Sequence, residues 1–361
     1  MLAFWRGILN TRPLNTDTIH GELVAESTRS LSRRWVYTFY SVFFNPRIGF
    51  LILAGGPIVL FALSLHGATI VTQSVVTTGA LVIVSVGLLY GLKKEWDTAA
   101  TVETYDVPTV RTDAQYVTAV MGGAIVTLIV TIELPVSSIV AASLVALFGA
   151  LIIPKFALAI YCGAFVGMTS PLLFTTYTQA LLAGFLAGGV FVLCRPVFDG
   201  VGGKLGTTAF VAATAVVAVT VAEFHSDPLP SLTTQFLIYL YAVSGAVVTF
   251  MLSVRFDRGP VVASATVGAI SGILLPVIYP TDGSLLAAVV FCASFVGMVS
   301  ADRLADEFRV AVAGAVAGLI FIYTTPYVGG SGGKLGTIAF GACLTVWGGE
   351  ALIQRLKTLH K

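Results

Sequence analysis

The chain has 361 residues, of which 57% are apolar and only 11% charged, with a formal net charge of +2. Soluble domains average roughly 45–50% apolar and about 25% charged residues, so a soluble globular fold is excluded. With no basic stripe and interleaved aromatics, a nucleic-acid partner is excluded too. An all-α polytopic membrane protein remains, with the lipid bilayer as its first partner.

Residues 1–47 carry scattered Arg and acidic residues and no cleavable signal peptide. They read as a cytoplasmic or interfacial segment whose first residues, Met1 to Leu9, suit a membrane surface. Apolar runs of bilayer length then fill the chain. Twelve transmembrane helices are expected, over 48–66, 73–92, 116–133, 137–153, 156–172, 178–194, 206–224, 235–253, 260–279, 285–300, 309–323 and 336–352. The organisation that follows is an N-terminal hairpin (48–92), a cytoplasmic loop (93–115), a first repeat (116–224), a second repeat (235–352) and a cytoplasmic tail (353–361). The hairpin reads as a packing element, a scaffold or a homo-oligomer contact, with no chemistry of its own.

The repeats rest on an internal duplication. Gly202-Gly203-Lys204-Leu205-Gly206-Thr207 recurs as Gly332-Gly333-Lys334-Leu335-Gly336-Thr337, an offset of 130. The same offset carries Phe165-Val166-Gly167-Met168 onto Phe295-Val296-Gly297-Met298, Gly184 and Gly188 onto Gly314 and Gly318, and Pro196 onto Pro326. The Gly-x-x-x-Gly pairs read as helix-packing faces. Five spans per copy is an odd number, so the copies run in opposite directions across the bilayer.

Charge agrees. With both termini cytoplasmic at a plasma (inner) membrane, 19 of the 20 Lys and Arg fall inside, and Lys334 is the exception. Pro171 to Tyr177 is uncharged and falls outside, whereas its counterpart, Ala301 to Glu307, is charged and falls inside. A competing count makes each Gly-rich segment a re-entrant hairpin, which would leave the copies parallel; the charge alternation favours inversion.

Each Gly-Gly-Lys-Leu-Gly-Thr segment opens a helix. Glycines allow close backbone approach, and the first N–H groups of a helix lack partners and attract anions. Gly202, Gly203, Lys204, Gly206 and Thr207, with Gly332, Gly333, Lys334, Gly336 and Thr337, are therefore the candidate substrate-binding residues. Asp199, whose counterpart is Gly329, is a candidate charge partner for Lys204 or Arg195, or part of a cation site. The bland alternative is a tight turn with Lys at the membrane surface. Neither segment has Walker spacing.

Glu133, Glu223 and Glu350 lie near span ends and read as snorkelling or capping groups. The cysteines (Cys162, Cys194, Cys292, Cys343) read as buried small hydrophobes. His20, His66, His225 and His360 lack metal-ligand spacing, so neither a metal, a cofactor nor an enzyme is expected.

The placement of the two Gly-Gly loops between the fourth and fifth spans of each unit resembles the sodium/glutamate and sodium/citrate symporters. That resemblance implies two inverted five-span units with a binding site between them. The lysine in each loop lies outside it, and no substrate is carried over. The expected function is a transporter or permease for a small solute, preferably an anion or carboxylate, bound near the midplane. An ion channel with the loops as its constriction, and a non-transporting scaffold or sensor subunit, are the alternatives.

Overall fold

The computed structural model describes residues 45–101 and 110–359. The first residues of the interfacial segment lie outside them. Twelve α-helices are present among the described residues, and no strand is, apart from one isolated bridge between His225 and Gly329. We number the helices α1 (Pro46–His66), α2 (Val75–Thr101), α3 (Val110–Glu133), α4 (Ser138–Ile152), α5 (Ala157–Gly167), α6 (Tyr177–Leu193), α7 (Lys204–Thr220), α8 (Leu232–Phe250), α9 (Pro260–Ile278), α10 (Gly283–Val296), α11 (Glu307–Thr324) and α12 (Lys334–Leu359). Seven are long and apolar enough to cross a bilayer: α1, α2, α3, α8, α9, α11 and α12. The others are apolar but shorter.

Starts are signalled locally. Ser137 and Ser231 accept from N–H groups in the first turns of α4 and α8, and Pro260 opens α9. Thr176 and Gln179 form a capping box on α6, and Asp306, at the equivalent position of the second repeat, caps α11.

Apolar runs mark the helices but not where they stop. Residues 93–101 extend α2 and residues 110–115 open α3, so the polar connection expected over 93–115 shrinks to residues 102–109, which lie outside the described residues. Likewise α12 continues to Leu359 through the expected tail, and α5 ends at Gly167, short of residue 172. Hydropathy falls where water begins, whereas Lys, Glu and Ala continue a helix readily.

Both repeats pack alike. The first helix of each (α3, α8) lies against the third and fourth, and the fifth (α7, α12) against the third and fourth. Small residues set these contacts. A side chain at Gly188 would meet Val117 Cα at 2.8 Å, and one at Gly314 would meet the Ala242 carbonyl at 2.8 Å. Gly167 abuts Thr127 as Gly297 abuts Thr249, so the first helices correspond with an offset of 122 rather than 130. The second repeat is thus longer between its first and third helices, and α9 has 19 residues where α4 has 15. Between repeats, α4 packs on α9 and α7 on α12. The hairpin α1–α2 lies outside the duplication: α2 runs along α12, and α1 touches both α7 and α12.

Candidate functional site

The two Gly-rich loops, 194–203 and 324–333, adopt one backbone path. Phe198, Gly200 and Gly203 have φ of +55°, +69° and +82°; Val328, Gly330 and Gly333 have +53°, +79° and +83°. A β-branched residue in that region is strained, so Val328 holds its place because the surroundings fix it. Glycine is required at 203 and 333, where a side chain would also strike the first turn of the opposite fifth helix: Gly203 faces the Gly336 carbonyl and Phe340, and Gly333 faces the Gly206 carbonyl and Phe210.

These reciprocal contacts bring four predicted residues together. A Cβ on Gly206 would lie 2.6 Å from Gly336 Cα, and one on Gly336 would lie 2.6 Å from Gly206 Cα. The N-termini of α7 and α12 therefore meet at bare backbone. Gly202 and Gly332 pack on the C-terminal carbonyls of the opposite third helices, with a Cβ at either lying 3.0 Å from Val296 O or Val166 O, respectively. Two helix N-termini and two helix C-termini thus share one centre, which gives it partial charges of both signs.

The threonines are brought together differently. The Thr207 and Thr337 hydroxyls each donate to the carbonyl four residues back, Gly203 and Gly333, at 3.2 Å. Their methyl groups converge on Gly56 of α1, where a Cβ would lie 3.2 Å from Thr207 Cγ2 and 3.0 Å from Thr337 Cγ2. They fill space rather than offer donors.

The lysines are not brought together. Lys204 Nζ donates to the Arg195 carbonyl at 3.2 Å. Lys334 Nζ donates to the carbonyls of Thr324 at 2.7 Å and Tyr327 at 2.6 Å. Each ammonium neutralises the carbonyl end of the preceding helix in its own repeat. An ammonium has three donors, so each retains capacity toward the cavity it lines. Lys334→Ala strands two carbonyls and Lys204→Ala one, so Lys334→Ala is expected to lower stability in detergent by about 1–3 kcal/mol and Lys204→Ala by less. Thermal unfolding checks the order, and the reverse order contradicts it.

Asp199 acts electrostatically on Lys204 without forming an ion pair with it. Arg195 pairs with Asp113 at 3.3 Å and lies over the Tyr116 ring at 3.9 Å. The Asp199 carboxylate makes no ion pair among the described residues; its backbone carbonyl accepts from Arg303 Nε at 2.8 Å. Arg303 also pairs with the buried Glu95 of α2, whose second oxygen accepts from the Phe198 N–H at 3.2 Å. Glu95 is thus the clamp on the strained residue of the first loop. Nothing in the sequence marks it, because a carboxylate at the end of an apolar run reads as solvated.

The second loop is held by other groups. His225 exchanges both backbone hydrogen bonds with Gly329, at 3.0 and 3.2 Å, and Thr169 Oγ1 accepts from Gly332 N at 3.1 Å. The His66 Nδ1 to Tyr327 Oη distance is 2.9 Å. Glu350 pairs with Arg309, whereas Glu133 and Glu223 are exposed. The four cysteines are buried, and Cys162 and Cys292 donate to equivalent carbonyls, Leu205 at 3.4 Å and Leu335 at 3.1 Å.

A cavity lies at each loop. One, of about 510 Å³, is lined by residues 329–336, including Lys334; the other, of about 680 Å³, by residues 199–206, including Lys204. Phe165 and Phe295 line both. Their rings are 4.8 Å apart and join Tyr161 and Phe291 in a buried aromatic cluster between the repeats. Among the described residues no group of three His, Cys, Asp or Glu is placed to hold a metal.

Seven bilayer-length apolar helices around a core of broken backbone define a helical multi-pass membrane protein. No family model matches the chain, and neither does any curated protein or solved structure.

Proposed function

We propose that this chain is a membrane transporter or permease for a small solute, preferably a carboxylate or other small anion, built from two oppositely oriented five-helix repeats. All twelve helices then cross or enter the bilayer. In this reading both termini lie on the cytoplasmic side of the plasma (inner) membrane, an orientation supported by the Lys and Arg distribution.

The observation that carries this reading is the order of contacts along α1. Its start touches the first loop: Phe50 stacks on Phe198 at 5.2 Å, and the Gly49 carbonyl accepts from Cys194. Its middle, Gly56, touches both threonines. Its end, His66, meets Tyr327 of the second loop. At 1.5 Å per residue, Phe50 and His66 are about 24 Å apart. The loops therefore start near opposite ends of one helix and converge at its middle, as loops entering from opposite faces of a bilayer would. Such an inverted pair, with helix N-termini aimed at a central site, is a recurrent transporter design.

The cavities support alternating access rather than an open channel. Phe165 and Phe295 stand between them, and the bare Gly206–Gly336 contact lets one repeat rock against the other. Proteoliposomes loaded with small carboxylates and inorganic anions test this. Saturable counterflow of at least one solute is expected, and Phe165→Ala/Phe295→Ala is expected to raise passive leak about tenfold or more by removing the aromatic barrier. A protein that moves no solute across that panel contradicts the proposal. One observation favours the scaffold reading, namely that both lysine ammoniums are bound to carbonyls, and silence in that assay is its expected result.

A further inference from the structure

The two cavities share a chemistry that a simple anion does not explain. Each pairs a basic loop with carboxylates. Lys334 shares its cavity with Asp227, and Lys204, Arg195 and Lys155 share theirs with Asp199 and Asp257. Asp227 acts electrostatically on Lys334 but makes no hydrogen bond or ion pair among the described residues. An anion bound beside such a carboxylate is repelled by it; a ligand that also carries a cation is attracted by both groups.

The second loop also differs from the first at one informative position. Ser331 lines its cavity, is only 9% exposed, and its hydroxyl has no hydrogen-bond partner among the described residues. The equivalent residue of the first loop is Val201. A buried hydroxyl without a partner is costly unless something in the cavity satisfies it. It stands beside the N-terminal turn of α12 and Lys334, where a carboxylate is favoured. Much of the remaining wall is apolar: Phe165, Phe291, Phe295, Phe321, Met168 and Leu285.

We infer that the cavity at the second loop binds a small zwitterion with an apolar body, of the apolar α-amino acid class. Its carboxylate is received by Ser331, Lys334 and the start of α12, and its ammonium by Asp227. The inference rests on the transport-site reading above and names the substrate class of that site. It also assigns the two loops unequal roles, the second offering a buried, unpartnered hydroxyl where the first has Val201.

The test is binding of three probes of one shape to the full chain in detergent: L-phenylalanine, 3-phenylpropionate, which lacks the ammonium, and 2-phenylethylamine, which lacks the carboxylate. L-Phenylalanine is expected to bind about tenfold or more tightly than either analogue, a difference of one charge-assisted contact. Asp227→Asn is expected to bring L-phenylalanine and 3-phenylpropionate to within about twofold of each other while leaving the latter's affinity unchanged or improved. Ser331→Ala is expected to weaken both carboxylates several-fold and spare the amine. Equal binding of L-phenylalanine and 3-phenylpropionate to the unmodified protein overturns the inference, as does binding of none of the three. In either case, saturable counterflow of another solute in liposomes leaves the transport reading standing.

Discussion

Glu95→Ala is expected to destabilise the protein by about 3–5 kcal/mol, because it removes one partner of a buried ion pair and leaves the other charge uncompensated. The Glu95 side chain is 3% exposed and that of Arg303 17%. The loss is not confined to the pair. Glu95 also accepts the Phe198 N–H, and Phe198 sits at φ +55°, a conformation that its surroundings must impose. Arg303 continues the chain of contacts to the Asp199 carbonyl, so one substitution frees two consecutive residues of the first loop. Glu95→Gln keeps an acceptor for Phe198 and loses the charge, so an intermediate loss is expected. Glu95→Gln/Arg303→Gln removes both charges and is expected to recover part of it. Thermal unfolding of the purified protein in detergent reads all four forms. A double variant less stable than Glu95→Gln alone would contradict the pairing.

Gly206→Val and Gly336→Val are expected to prevent assembly of the two repeats. The new Cβ would lie 2.6 Å from backbone of the opposite helix, with the Gly333 or Gly203 carbonyl a further 0.6 Å away at 3.2 Å. Backbone at a helix start cannot rotate aside as a flexible side chain can. Overpacking in a well-packed interior costs about 1–3 kcal/mol where side chains can adjust, and more is expected here. Gly189→Val is the control, because a side chain there meets nothing within 4 Å. The monodisperse yield after extraction and size-exclusion separates them: near wild type for the control, and aggregation or loss for the other two. Normal behaviour of either glycine variant would show that α7 and α12 do not meet as described.

Much of this architecture could be read from the residues. An apolar run marked each of the twelve helices among the described residues, seven of them long and apolar enough to cross a bilayer. The recurring Gly-Gly-Lys-Leu-Gly-Thr segment marked the two places where the backbone breaks. The roles within that segment were harder to read. Lysine beside glycine at a helix start suggests a ligand site, yet Lys204 and Lys334 are first of all bonded to carbonyls at the end of the preceding helix. That arrangement depends on how each loop folds back, which residue order does not state. Threonine suggests a donor, yet Thr207 and Thr337 bond to their own helix. The largest omission was the hairpin. Its apolar stretch looks chemically empty, but Gly49, Phe50, Gly56, His66 and Glu95 are among the residues by which it touches the centre and both loops. Contacts between segments so far apart in the chain leave no local periodicity. The correspondence of α3 with α8 was hidden for a related reason: it runs at an offset of 122, not 130, and only a short stretch, Gly123 to Thr127 against Gly245 to Thr249, carries it in the residues.

Site-directed labelling tests most directly whether the two repeats face opposite sides of the membrane. Leu172 follows α5, is 72% exposed, and has the exposed Asp302 as its counterpart in the second repeat. All four native cysteines are buried, which keeps the background low. With Leu172→Cys and Asp302→Cys made singly, a membrane-impermeant maleimide is applied to intact cells and to inverted vesicles. Inversion predicts that Leu172→Cys reacts from outside in intact cells and Asp302→Cys only in inverted vesicles. Reaction of both from the same side would contradict it and make the repeats parallel.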